Sequence, residues 1–352
     1  MRRGVGIIGA GIGAEHLTAY RTLPALFQVR WICDLDLDRA VGIADGIAVT
    51  RNISDLLEDP HCDVIDICLP PHLHLPVACD ALAANKTVIC EKPLVTSLIE
   101  MDKLEAADKI STGRVFPVFQ YRNGLGMSQL RALLALGLTG NGQVATLETH
   151  WSRDADYYNT GWRGTWGGER GGAVVTHAIH IHDLLTQAFG PIATVQARLA
   201  TRVNPIETDD CAAILLNMQN GALVTSSVTL GAAGDHSRLR LVFEHLTAES
   251  DLAAYAPAAK SWRFTARRPE MQSRVNAVVA AASPPPVGFA GFLTDVSNAL
   301  DGTGQAVTLQ EARASLELIT AIYASDQTGC PQNLPIQSDH PLYDGWQPKE
   351  HR

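Results

Sequence analysis

No apolar stretch in this 352-residue chain reaches the roughly 20 residues that a bilayer-spanning helix needs, so no membrane partner is expected. Basic residues are scarce. The 28 Lys and Arg stand against 37 Asp and Glu, a net charge of −9, which argues against nucleic acid and anionic surfaces. The seven cysteines (33, 62, 68, 79, 90, 211 and 330) are odd in number and form no Cys-x-x-Cys pair. A disulfide framework is therefore not expected, and the thiols read as reduced and mostly buried. Met1-Arg2-Arg3 runs straight into an apolar strand, without the separate apolar region and cleavage site of a signal peptide. A cytoplasmic location follows as the expectation. Internal repeats and low-complexity tracts are absent too. What remains is an ordinary globular composition, 46% apolar and 18% charged, over a length that suits about two domains.

The first third of the chain alternates apolar strands with helical stretches. Strands are expected at Val5–Ile8, Val29–Cys33, Val64–Cys68, Thr87–Cys90 and Val115–Phe119. Helices are expected at Ala14–Leu23, Leu37–Ala44, Leu75–Ala84 and Leu98–Ile110. Continuous apolar strands joined by helices predict a doubly wound parallel sheet covered on both faces. Beyond a helix near Gly126–Leu136 the pattern changes to long strands: Val144–His150, Ile192–Arg202, Ala212–Met218, Ala222–Thr229 and Leu239–Phe243. Asn220-Gly221 marks a hairpin between two of them. An open, mainly antiparallel sheet is the expectation, interrupted by a helix near Ala173–Ala188. Helices near Phe289–Leu300 and Gln310–Asp326 follow a stiff Pro284-Pro285-Pro286 break. The division expected is a dinucleotide-binding domain at 1–122, an α/β substrate and oligomerisation domain at 123–330, and an extended tail at 331–352.

Gly9-Ala10-Gly11-Ile12-Gly13-Ala14 follows the first strand and opens the first helix. Gly9 suits the tight turn, Gly11 lets a pyrophosphate approach the backbone, and Ala14 allows close packing of helix on strand. The helix N-terminus adds free N–H groups and a partial positive charge. Asp34 ends the second strand 20 residues beyond Ala14. A carboxylate there accepts from the ribose hydroxyls and repels a 2′-phosphate, so NAD is expected over NADP. Arg39 reads as a solvated helix residue rather than a phosphate partner. Leu69-Pro70-Pro71-His72-Leu73-His74 lies at the carboxyl end of the sheet, where ligands bind in such folds. Leu69, Pro70 and His74 are assigned to the cofactor side. Glu91-Lys92-Pro93 reaches the same edge, and a residue before proline is held out of the helical region, which turns Lys92 into the cleft. Gly9, Gly11, Ile12, Gly13, Asp34, Glu91 and Lys92 complete the expected coenzyme site.

Together, the glycine turn, Pro70-Pro71-x-x-His74 and Glu91-Lys92-Pro93 resemble the glucose–fructose oxidoreductase / inositol dehydrogenase / MocA family over essentially the whole chain. The resemblance implies a Rossmann domain followed by an α/β domain on an open antiparallel sheet that often forms the oligomer interface. A homodimer or homotetramer is accordingly expected. It also implies that Lys92 hydrogen-bonds the reacting substrate oxygen, commonly beside a cis Lys-Pro peptide. The segment Gly171-Gly172-Ala173-Val174-Val175-Thr176-His177-Ala178-Ile179-His180-Ile181-His182-Asp183 matches the family pattern at Gly171, Gly172, His180 and Asp183. It departs at Thr176, where an Asp is usual, and at Ala178, where a Gly is. Thr176 hydrogen-bonds but is no base at neutral pH, and His177 beside it is unusual.

Residues 176 and 180 share one face of an ordinary helix, which turns Thr176 and His180 to the cleft, with His177 about 100° round. Histidine suits a base role because its pKa lies near working pH. His180 is thus the expected base and Lys92 the charge that stabilises the alkoxide, with the roles exchangeable. His182 reads as a core histidine. No metal is expected, because hydride transfer from an alcohol to NAD needs none here. The most aromatic segment is Trp151–Trp166, where rings interleave with Arg, Asp and Asn as a polyol site requires. Tyr157, Tyr158 and Arg163 are its candidate substrate contacts, with Thr176, His177 and Arg122. Arginine there equally suits a carboxylate. The expected function is NAD-dependent oxidation of a ring hydroxyl of a sugar or cyclitol. The alternatives are a dihydrodiol dehydrogenase or non-sugar carbonyl reductase, and a non-catalytic NAD-binding regulator.

Overall fold

The computed structural model describes residues 2–348. Two compact units emerge. One comprises Met1–Phe119 and Phe289–Arg313; the other comprises Gln120–Gly288 and the chain from Ala314 onward. The first unit opens with β1 (Arg3–Ile8), α1 (Gly13–Arg21), β2 (Phe27–Cys33), α2 (Leu37–Ala44), β3 (Ala48–Thr50), α3 (Ile53–Glu58), β4 (Val64–Ile67), α4 (His74–Ala83), β5 (Thr87–Cys90), α5 (Leu98–Ile110) and β6 (Val115–Pro117). Its six strands lie in the order β3-β2-β1-β4-β5-β6. Every neighbouring pair is parallel. Strands β1, β4 and β5 are buried almost throughout, as a sheet covered on both faces demands. The strand order reverses between β1 and β4, which is where a doubly wound sheet leaves a crevice for ligand. Ile8 pairs with Cys33 on one side and Ile67 on the other, and Ile67 pairs with Cys90. Gly9, Asp34, Cys68 and Glu91 therefore leave the sheet along one edge.

The second unit carries α6 (Leu125–Ala135), β7 (Gly142–Ser152), α7 (Ala155–Tyr158), α8 (Ile179–Phe189), β8 (Ile192–Ala200), β9 (Cys211–Met218), β10 (Leu223–Thr229), β11 (Gly231–Phe243), β12 (Leu246–Glu249), β13 (Arg263–Ala266) and α9 (Gln272–Ala281). The chain then runs through α10 (Gly288–Leu300), α11 (Leu309–Thr328) and β14 (Gln332–Asn333). The eight strands of this unit lie in the order β13-β12-β11-β7-β10-β9-β8-β14. All neighbours are antiparallel except β7 and β10. Burial alternates strictly along β9 and β10, so one face of the sheet is packed and the other open. The expected Asn220-Gly221 hairpin joins β9 to β10, with Gly221 at φ 88°.

Two features differ from the sequence expectation. Residues 289–313 group with the first unit rather than with the second. The stretch from Pro331 is not a surface strap alone: β14 pairs with β8, and Trp346 is fully buried, its indole N–H donating to the Arg170 carbonyl at 2.6 Å. Residues 349–352 of the expected tail lie outside the described residues. Within those described, no helix is long and apolar enough to cross a membrane.

Candidate active site

In the first unit the coenzyme turn is built by exclusion. Gly9 has φ 100°, and a Cβ there would run into the Cys68 carbonyl, so the turn needs glycine for both conformation and space. A Cβ on Gly13 would meet the Ile7 side chain at 2.8 Å, which keeps α1 tight on β1. At Gly11, by contrast, nothing lies within 4 Å of such a Cβ. The missing side chain therefore serves approach from outside, as a pyrophosphate on the helix N-terminus requires. Ile12 is 43% exposed beside it. Asp34 Oδ2 accepts from Ala10 N at 2.7 Å and Oδ1 from Asp36 N at 2.8 Å. These bonds fix the carboxylate at the turn, and each oxygen keeps a second lone pair for a ribose hydroxyl. Arg39 pairs with Asp36 at 3.2 Å and stands 3.9 Å from Asp34.

His74 is fully buried, its Nδ1 2.9 Å from the Pro93 carbonyl and its Nε2 2.8 Å from the Leu69 carbonyl. Burial lowers its pKa despite the two carbonyls. It ties the Leu69-Pro70 loop to the Lys92-Pro93 segment, whose peptide bond is cis. Glu91 is also turned inward. Its Oε2 accepts from Lys92 N at 3.1 Å, and its Oε1 lies 3.1 Å from Nε2 of His16 on α1. The other ring nitrogen of His16 lies 2.9 Å from Asp66 Oδ2, which also accepts from the Tyr20 hydroxyl at 2.9 Å. Burial alone would push the His16 pKa down, but Asp66 and then Cys68 raise it well above the ordinary value. An ion cluster thus joins the coenzyme helix, β4 and the motif that carries Lys92. The sequence reading missed His16 and Asp66; a buried aspartate inside an otherwise apolar strand was the available signal.

In the second unit, α8 is preceded by a π-helical turn at Val174–Ala178. Such turns widen the helix by a residue and change the phase expected for an ordinary one. His180 stacks on Tyr121, with ring centroids 4.3 Å apart and planes at 22°. His177 meets Trp151 edge-on at 4.9 Å and Tyr157 at 5.9 Å. The Thr176 hydroxyl donates to the Gly172 carbonyl at 2.9 Å and lies 2.7 Å from His177 Nδ1. With its one proton so used, Thr176 accepts from Nδ1–H of His177. Asp209 holds the helix start: it accepts from Gly172 N at 3.0 Å, Val174 N at 3.1 Å and the Tyr323 hydroxyl at 2.5 Å. A Cβ on Gly172 would strike the Asp209 backbone. His182 is buried and 3.0 Å from the Ser226 hydroxyl, and desolvation lowers its pKa to about 4, so it is a neutral core residue.

The aromatic segment folds largely on itself. The Arg163 guanidinium lies 4.1 Å over the Tyr157 ring and 4.7 Å over Trp162, and it donates to the Tyr157 hydroxyl. Tyr158 packs edge-on to Tyr157 at 5.0 Å, and burial raises its pKa. Arg122, a candidate substrate contact, is engaged in an ion pair within the second unit. Its guanidinium forks onto Asp183 at 2.7 and 2.5 Å, and both groups are buried. The pair anchors α8 to the segment that carries Tyr121.

With this geometry in place, comparison with known proteins is informative. Residues 3–118 match the profile of an oxidoreductase family with an NAD-binding Rossmann fold, and residues 127–249 match the GFO/IDH/MocA C-terminal domain. The chain belongs to the GFO/IDH/MocA family. Among GFO/IDH/MocA relatives, the uncharacterised oxidoreductase YrbE of Bacillus subtilis is 30% identical over 62% of this chain and 64% of its own length. The chain thus spans a little under two thirds of that relative. Levoglucosan dehydrogenase of Pseudarthrobacter phenanthrenivorans is 26% identical over 65% of this chain and 68% of its own. The WlbA dehydrogenase from Bordetella pertussis, solved with NADH and UDP-GlcNAcA, is 26% identical with a TM-score of 0.83, covering 96% of this chain and all of that one. The first unit is accordingly an NAD-binding Rossmann domain of this oxidoreductase family.

Proposed function

We propose that this protein is an NAD-dependent dehydrogenase that moves hydride between a ring hydroxyl carbon of a sugar, sugar derivative or cyclitol and nicotinamide. One observation carries the reading. Lys92 leaves β5 on the same sheet edge as the Gly9–Gly13 turn and the Asp34 carboxylate, within a segment clamped by His74 and Glu91. NAD, when bound, supplies the carbon that accepts the hydride. The Lys92 ammonium stabilises charge growing on the substrate oxygen. His180, held flat against Tyr121, takes the hydroxyl proton; the two roles are exchangeable. Thr176 offers no carboxylate, so His177 beside it is the ring-hydroxyl partner. Tyr157, Tyr158 and Arg163 supply the aromatic and guanidinium groups that line the sugar. Asp34 favours NAD over NADP. A homodimer or homotetramer forms through the open sheet face, where Val144, Leu215 and Leu223 are 46%, 55% and 57% exposed. The seven unpaired thiols suit the cytoplasm.

The test is NADH formation across a panel of sugars, cyclitols and dihydrodiols. At least one polyol is expected to turn over. Lys92→Ala is expected to lower kcat/KM by about 10²–10⁴-fold while NAD affinity stays within a few-fold. A variant with full turnover removes the proposed oxygen contact, and NAD binding without turnover of any polyol points to a regulator.

A further inference from the structure

The open face of the second unit's sheet holds a grouping that hydride transfer does not use. Glu148 and His150 sit two apart on β7, so both side chains emerge on the same face. His236 on β11 is the direct cross-strand partner of His150. The two imidazoles meet edge to face at 5.0 Å between ring centroids, and His236 Nε2 is 3.6 Å from Glu148 Oε2. One donor atom from each of the three residues lies within 4.8 Å of the others. Ligand atoms around a tetrahedral zinc ion lie about 3.3 Å apart, so small side-chain rotations bring this set onto a common centre. All three residues are half-buried on the face through which the oligomer is proposed to form, and strand register fixes their Cα positions.

We propose that Glu148, His150 and His236 form a binding site for a divalent transition-metal ion of the zinc class. Two imidazoles and one carboxylate are a borderline donor set that selects zinc, cobalt or nickel over calcium and magnesium. Three protein ligands leave at least one coordination position to water. Two present contacts must yield: His150 Nε2 to the Ser227 hydroxyl at 2.8 Å, and Glu148 to Arg238 at 3.7 Å. Neither loss strands a charge. Ser227 has a rotatable hydroxyl, and Arg238 keeps Glu249 at 3.5 Å. The site is remote in sequence from Lys92 and is independent of the proposed dehydrogenase activity.

The experiment uses the full chain, freed of any affinity tag and stripped with chelator, titrated with Zn²⁺ by calorimetry and with Co²⁺ by visible absorption. One saturable Zn²⁺ per chain is expected, with a Co²⁺ spectrum of nitrogen and oxygen ligation. His150→Gln and His236→Gln are each expected to weaken binding by about tenfold or more, and Glu148→Gln by a smaller factor. Near-ultraviolet circular dichroism checks that each variant keeps its fold, and an unfolded variant is replaced by the corresponding Asn substitution. Absence of a saturable site overturns the proposal. So does binding that survives His150→Gln/His236→Gln, and so does binding that is lost instead in Cys68→Ala, which would assign the ion to the buried His16, Asp66 and Cys68 grouping.

Discussion

In the first unit a histidine lies between two carboxylates; in the second, one lies against a serine hydroxyl amid an apolar helix. His16 reaches Asp66 and Glu91 and is held charged, whereas His182 reaches Ser226 and is held neutral. Both are buried, so the difference comes from partners and not from depth. The first unit must join three separate elements, α1, β4 and β5, beneath a ligand edge, and a buried cation does so by fixing all the surrounding acceptors at once. The second unit seats one helix on a sheet, and a single neutral hydrogen bond satisfies its buried ring. Ion clustering is retained where loops need exact placement, and neutral packing serves elsewhere.

The two histidines are expected to respond oppositely to substitution and to pH. His16→Ala removes the cation from between two buried carboxylates and is expected to cost about 3–5 kcal/mol in urea unfolding. Because its folded pKa is raised, its contribution is whole below the ordinary histidine value and fades as pH rises through the folded value. A loss under about 1 kcal/mol would show that His16 is not charged in the fold. His182 runs the other way. Its folded pKa of about 4 lies below the ordinary value of 6.5, so stability is full above 6.5 and falls as pH drops towards 4. Across that window it is expected to cost roughly 3 kcal/mol. His182→Gln, which keeps a donor towards Ser226, should flatten that acid limb; an unchanged limb would place the titration elsewhere. Smallest in stability, and sharpest in meaning, is the pair of turn glycines. Gly9→Ala strains the backbone and is expected to cost about 1–3 kcal/mol. Gly11→Ala is expected to shift stability by less than about 0.5 kcal/mol yet weaken NAD binding by about tenfold. Equal stability losses in both would refute the division between turn-building and ligand-admitting glycine.

The parallel sheet was legible because each of its long strands ends on a glycine, proline or charged motif. Ala48–Thr50 and Ile53–Glu58 escaped notice because three to six residues cannot display a period. The same holds for β12, β13 and β14. Lys92, Asp34 and the glycine turn could be read because their chemistry is local to one strand end. Arg122 could not: its partner Asp183 lies 61 residues away, and a guanidinium in sequence looks the same facing substrate or carboxylate. Asp209 is 37 residues from the Gly172 amide it holds, with no local sign of that duty. The π turn at Val174–Ala178 also left no mark in residue type.

The return of Phe289–Arg313 to the first unit has a practical meaning for anyone who wishes to dissect or transplant the coenzyme half. A fragment that stops near residue 120 would forfeit the Phe289 ring packed 4.2 Å from His16. It would also lose the Asp301 carboxylate that receives Arg3 at 2.7 Å and the Arg313 guanidinium that reaches Glu105 at 2.8 Å. A chimera with a foreign catalytic half therefore has to donate two stretches of gene rather than one.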